Sequence, residues 1–241
     1  MIEAMLLTAS GVAKDYSNTG PGSKTLIAGN EDAGFFGEVS SAELIGYAAL
    51  KTHLGFSAGS VVADAGWLKF IHKGVIKFIS KKGCYNGLTW NALYAAGGIY
   101  GTNDDGLYPA TTPKNQHHPF TVSDGTKVCT LVPKLISGSA QDPTTITTDV
   151  ITDYNSEYSD LLYRIIPGTH VNAGTFAQYV KADVYMHVAH AVVETISTNV
   201  TRTLIRGYQG VINSNGQSLT KADPSGYSQC CRMVLVLESV V

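Results

Sequence analysis

The sequence predicts an α+β fold: a mixed compact body over residues 38–241, led by an extended N-terminal arm over residues 1–37. Three observations predict it. Residues 58–101 hold two short apolar runs around a glycine turn, followed by a capped helix pattern. Near the end, Arg232-Met233-Val234-Leu235-Val236-Leu237 is apolar without alternation, the pattern of a strand covered on both faces. Residues 1–37 carry so much Gly, Asn, Ser and Thr that they cannot bury a core of their own.

The elements follow in order. In the arm, Gly20-Pro21-Gly22-Ser23 and Gly29-Asn30-Glu31-Asp32 read as turns, and Thr25-Leu26-Ile27-Ala28 as a short strand. The arm is expected to dock, on the body or on a partner. Ser40–Leu54 reads as a helix: Ser40 or Ser41 caps its first turn, Glu43 suits its positive end, and Gly55 stops it. Gly66–Ile71 and Val75–Ile79 read as strands joined at His72-Lys73-Gly74. Thr89 caps a helix that ends at Gly97, with Leu88, Leu93 and Ala96 packing it onto the sheet. Residues 99–120 are loop-rich, because Pro109, Pro113 and Pro119 interrupt regular structure. Val128–Leu135 reads as a strand, and Ser137–Asp149 as an exposed polar insertion. Ser156–Ile166 reads as a helical turn leading into a strand. Val184–Ile196, Thr201–Val211 and Cys231–Glu238 read as strands, the first because Val and Ile are β-branched.

Composition removes several function classes. Charged residues make up 15 % of the chain, against about 25 % in ordinary soluble domains. A surface so short of charge points to neighbours that cover it. The formal net charge is −2 and no basic run is present, so nucleic acid is not an expected partner. The longest apolar stretch, near Met233–Leu237, falls far short of the ~20 residues of a membrane span. Met1–Leu7 has no basic residue before its apolar part and does not read as a signal peptide, so synthesis in a reducing cytoplasm is expected.

The candidates for chemistry have bland readings beside them. Cys84, Cys129, Cys230 and Cys231 lack paired zinc-site spacing and read as buried thiols, or as a disulfide formed after release from the cell. Adjacent His117 and His118 diverge on an extended chain and read as solvated loop residues. His187 and His190 share a face only on a helix. Asn103-Asp104-Asp105-Gly106 offers oxygens that calcium favours but no closing Glu, and reads as a turn. Asp153, Glu157 and Asp160 read as a solvated acidic face. Gly55-Phe56-Ser57-Ala58-Gly59 matches the serine nucleophile elbow formally, yet it follows a helix rather than a strand. Trp67 and Trp90 read as core before they read as a sugar platform.

Gly66-Trp67-Leu68-Lys69-Phe70, Thr89-Trp90-Asn91-Ala92-Leu93 and Tyr100-Gly101-Thr102 resemble, in that order, a block of tailed-bacteriophage virion structural proteins associated with tail or neck. There a "GWLKF" strand precedes a "SWxxLxxAG" helix and a "YGT" strand. Ser156–Ile165 is similar to that group's "SEWNxLxYRV". Arg202–Gly207 and Cys231–Glu238 are similar to its "RVxRG" and closing "WRPVLELE". The islands span residues 38–238. The closing pattern also resembles the C-type-lectin-like fold of formylglycine-generating enzymes and some phage tropism determinants. Tyr208 stands where that pattern has a second glycine, and the enzymes' active-site cysteines have no counterpart, so only a fold is implied.

The resemblance implies a non-enzymatic virion component made in the host bacterial cytoplasm. Its expected partners are copies of itself and other virion structural proteins, gripped through the arm. No catalytic residue, cofactor or metal is expected. The contact residues expected are Leu26, Ile27, Phe35 and Phe36 in the arm, and Asn213, Asn215 and Asp223 in a late polar loop. The alternatives are a lectin-like adhesin of the virion that binds a host surface glycan through loops 103–120, 139–155 and 208–227, and a hydrolase built on Ser57.

Overall fold

A computed structural model describes residues 14–106, 112–138, 156–163, 186–191, 203–206, 219–222 and 229–241. Among the described residues, thirteen strands and two short α-helices build a mixed α+β body dominated by antiparallel sheet. The strands are β1 (Ala28–Gly29), β2 (Ala33–Val39), β3 (Ser60–Val61), β4 (Trp67–His72), β5 (Val75–Ser80), β6 (Tyr85–Leu88) and β7 (Phe120–Ser123). They continue with β8 (Val128–Leu135), β9 (Met186–Ala191), β10 (Thr203–Arg206), β11 (Leu219–Ala222), β12 (Gln229–Cys231) and β13 (Met233–Val240). The helices are α1 (Tyr47–Leu54) and α2 (Trp90–Ala95), and Tyr158–Tyr163 forms a π-helical turn.

One sheet has the order β1-β2-β4-β5-β13-β8-β7, and the other β11-β10-β9-β12-β6-β3. Every pairing in the first is antiparallel. In the second, β9 and β12 run parallel. The period of two sorts side chains onto the faces of the first sheet. Phe36, Trp67, Ile71, Ile76, Phe78, Leu131 and Leu235 face α1, α2 and β6. Phe35, Leu68, Phe70, Ile79 and Val234 face the π-helical turn, which adds Tyr158, Leu161 and Leu162. Strand β13 is paired on both edges, by β5 and β8, and its first half is apolar on both faces because Met233 and Leu235 enter one core and Val234 the other.

Local chemistry sets the elements. The β4–β5 hairpin turns at Lys73 and Gly74, both at positive φ (52° and 77°), the conformation of a two-residue type I′ turn. The Thr89 side chain accepts from the Ala92 N–H at 3.1 Å and caps α2, and Gly97 (φ 74°) closes it. Replacing Thr89 with alanine is expected to cost about 1 kcal/mol. A urea titration checks this, and an unchanged midpoint counts against the cap.

Several expectations are corrected. The helix starts at Tyr47 rather than Ser40. Ser40 and Glu43 close their own turn, the Glu43 carboxylate accepting from the Ser40 N–H (3.0 Å) and hydroxyl (2.7 Å). Gly46 then holds an extended conformation, and Asp64 satisfies the Tyr47 N–H from across the loop at 3.1 Å. The arm strand expected at Thr25–Ala28 is found at Ala28–Gly29, taking in a glycine expected to belong to the next turn. The helical turn expected after Ser156 is present as the π-helical turn Tyr158–Tyr163, and the run toward Pro167 where a strand is expected lies outside the described residues. The expected boundary at 37/38 falls inside β2, so residues 28–37 build the body's own sheet.

Candidate functional site

Two constructions concentrate polar groups: the junction of arm and body, and an ionic layer under the π-helical turn. At the junction, Lys69 occupies the middle of β4, fully buried. Its Nζ donates to Thr19 Oγ1 (3.0 Å) and to the carbonyls of Gly20 (3.1 Å) and Ser23 (2.8 Å). The rings of Phe36 and Phe78 lie 5.2 and 5.9 Å away, within cation–π range. Burial first, and the Lys24 ammonium second, push Lys69 down to about 7. Lys24 also donates to the Gly20 carbonyl and pairs with Asp124 at 2.9 Å. The Tyr16 ring meets Phe36 edge-on at 5.1 Å, Lys127 donates to Asn18, and Lys14 pairs with Glu31. Residues 14–23 are therefore strapped to their own body.

An open cleft of about 490 Å³ lies beside the strap, with Lys24, Glu38, Glu43 and Asp124 in its wall. Its carboxylates already have partners: Lys81 for Glu38 (2.7 Å), Ser40 for Glu43 and Lys24 for Asp124.

On the other face of the sheet, Glu157 is buried between two lysines. Lys77 meets its Oε1 at 2.7 Å and Lys134 its Oε2 at 2.9 Å. The Ser137 N–H donates to the same carboxylate at 2.7 Å, and the Glu157 N–H donates to Ser137 Oγ at 2.9 Å. Burial opposes the charge on Glu157, yet the two ammonium groups hold its carboxyl far below the usual range. Burial pushes Lys134 down, and Glu157 draws it back up. Lys77 also reaches His72 Nδ1 at 3.2 Å. An ammonium only donates, so the His72 proton sits on Nε2, aimed at Asp160 Oδ2 at 3.1 Å. The chain Asp160–His72–Lys77–Glu157–Lys134 has the residue types of acid–base chemistry. His72 is only 4 % exposed, however, and the network pins the turn to the sheet.

The expected contact residues separate. Phe35 (7 % exposed) and Phe36 (0 %) lie in the two cores of the body, one packed on each face of β2, so neither is offered to a neighbour. Leu26 is partly buried against the first core. Ile27 is 64 % exposed. Asn213, Asn215 and Asp223 lie outside the described residues, as do Cys230's side chain, Asp153 and most of the three loops expected of an adhesin.

Glu157 corrects the expected acidic face, being 2 % exposed. Asp104 Oδ1 accepts from Thr102 Oγ1 (2.6 Å) and the Gly106 N–H (2.8 Å), an Asx turn. Ser57 is exposed in a loop between α1 and β3, not on a strand–turn–helix elbow. His117 pairs with Glu238 at 2.8 Å, while His118 contacts the Asn115 carbonyl. His187 and His190 fall in strand β9. Cys84, Cys129 and Cys231 are buried thiols, and burial pushes the Cys84 thiol up to about 11. Trp67 and Trp90 are fully buried. Among the described residues no cluster of His, Cys, Asp and Glu is placed to hold a metal, and no helix is long and apolar enough to cross a membrane.

Sequence reasoning missed the buried charges Lys69, Glu157 and Arg232 and the half-buried Lys77 and Lys134 beside them. A signal was present: a lysine inside an otherwise apolar strand, as in Trp67-Leu68-Lys69-Phe70 and Val75-Ile76-Lys77-Phe78, demands a partner if the strand is covered on both faces. No family model, no curated protein and no solved structure matches the chain.

Proposed function

We propose that the chain is a non-enzymatic structural protein of a tailed-phage virion, acting by assembly with copies of itself and with other virion proteins. One observation carries the reading: the islands that resemble the phage block are spent on framework. Trp67 donates from Nε1 to the Ile45 carbonyl at 2.8 Å. Lys69 holds the strap, and Trp90 stacks on Tyr94 at 5.4 Å and meets Tyr100 edge-on at 6.3 Å. Glu157 locks the π-helical turn, and Arg232 donates to the Ser80 carbonyl at 3.1 Å. Each of these side chains is engaged in holding the fold, which supports the reading. Within the proposal the body takes a C-type-lectin-like arrangement closed by β13. The arm side offers a neighbour Ile27, next to the edge strand β1.

The test is mass spectrometry of purified particles, with stoichiometry. The expected result is a copy number that matches a symmetric ring or lattice. Absence from particles, together with a strict monomer in native mass spectrometry at high concentration, overturns the reading.

A further inference from the structure

We propose that residues 14–23 form a lid that opens as one unit, is latched by the Lys69 amine, and controls access to the Cys129 thiol beneath it. The latch is one-sided. All three oxygen partners of Lys69 Nζ, which are Thr19 Oγ1 and the Gly20 and Ser23 carbonyls, belong to the strap. The Phe36 and Phe78 rings beside Nζ belong to strands β2 and β5, so they stay in place when the strap leaves. At the hinge end, Lys24 joins the Gly20 carbonyl to Asp124. The rest of the grip includes one edge-on ring pair and exposed contacts of Lys14 and Lys127, the composition of a segment that opens locally.

The strap lies flat on the sheet. A side chain at Gly20 (φ 69°) would meet Leu237 at 3.5 Å and Cys129 Sγ at 3.6 Å, and one at Gly22 (φ 77°) would overlap Val39. Cys129 is 0 % exposed yet belongs to neither core, whereas Cys84 and Cys231 belong to the first. The charged groups that act on the Cys129 thiol, Asp124, Lys24, Lys69 and Lys127, all stand at the junction with the strap. The thiol therefore owes its cover to the strap. Opening uncovers it together with Lys69 while both cores stay shut. What then meets the uncovered face rests on the assembly reading; the opening itself does not.

Thiol labelling of the native full chain with N-ethylmaleimide at fixed pH, resolved by peptide mass spectrometry, tests the lid. Each rate is corrected by that of the same thiol in the unfolded chain. Cys129 is expected to label at least about tenfold faster than Cys84 and Cys231, because local opening costs less than breaching a core. Lys69→Met removes the latch's three hydrogen bonds, so Cys129 should label at least about tenfold faster again. Cys84 and Cys231 should keep their rates. Cys129 labelling no faster than the core thiols, or no faster in Lys69→Met than in the parent, overturns the proposal. Should that variant not fold, hydrogen exchange over residues 14–23 of the parent decides. An opening constant equal to that read at Cys129 supports a single lid, and Cys129 labelling only at the rate of global unfolding overturns it. Neither readout involves particles or oligomers, so the assembly reading stands or falls separately.

Discussion

Replacing Glu157 with alanine is expected to lower stability by about 3–5 kcal/mol, the usual cost of leaving a buried charge without its partner. Here the loss leaves two such charges, Lys77 and Lys134, each at most 15 % exposed and facing a void. The Ser137 N–H loses its acceptor in the same step. Urea denaturation reads the loss, and hydrogen exchange over 156–163 reads detachment of the π-helical turn. A shift under about 1 kcal/mol sinks the account, because exposed ion pairs are worth that little. Replacing Glu157, Lys77 and Lys134 together with apolar residues of similar volume should recover most of the loss, since the desolvation cost disappears with the charges. The pH dependence has a definite sign. Glu157's folded value lies below its unfolded value, so its contribution is complete above the ordinary glutamate range and is lost as pH falls below it. Acid titration of the parent against the triple variant should isolate that component.

Trp67→Ala is the second large effect, at about 3–5 kcal/mol. The indole is fully buried, meets Tyr47 edge-on at 5.5 Å (88°) and donates to the Ile45 carbonyl. Truncation opens a cavity where β4, α1 and the turn before α1 converge. It also strips a partner from the carbonyl that precedes the Gly46 break. Trp67→Phe keeps most of the volume and loses the hydrogen bond, so it should cost markedly less, about 1–2 kcal/mol. Equal costs for the two variants would mean that packing contributes little there, contrary to the burial.

How much was legible follows from which forces are local. The β4–β5 hairpin, the Thr89 cap and strand β8 could be read because turn residues, capping side chains and apolar runs act within a few positions. The covered centre of β13 could be read from its missing alternation. The helix start at Tyr47 could not, because Asp64 supplies the terminal acceptor from 17 residues away. Phe35 and Phe36 looked like arm contacts because the sequence does not announce that a core packs on each face of β2. Glu157 looked solvated because its lysines come from strands 80 and 23 positions earlier. Residues whose partners lie far away in sequence were the ones misread.

The place of β13 has a consequence for how the chain comes off the ribosome. Of the seven strands in its sheet, the one in the fifth position, paired on both edges, is translated last. Until it emerges, β1-β2-β4-β5 and β8-β7 are two half-sheets with naked inner edges, each a template for pairing with another nascent chain. Closure must wait for a contact of long sequence separation, so the nascent chain passes through a slow, sticky interval. Production at low temperature, or with holdase chaperones, should therefore raise the soluble yield more than substitutions on the mature surface do.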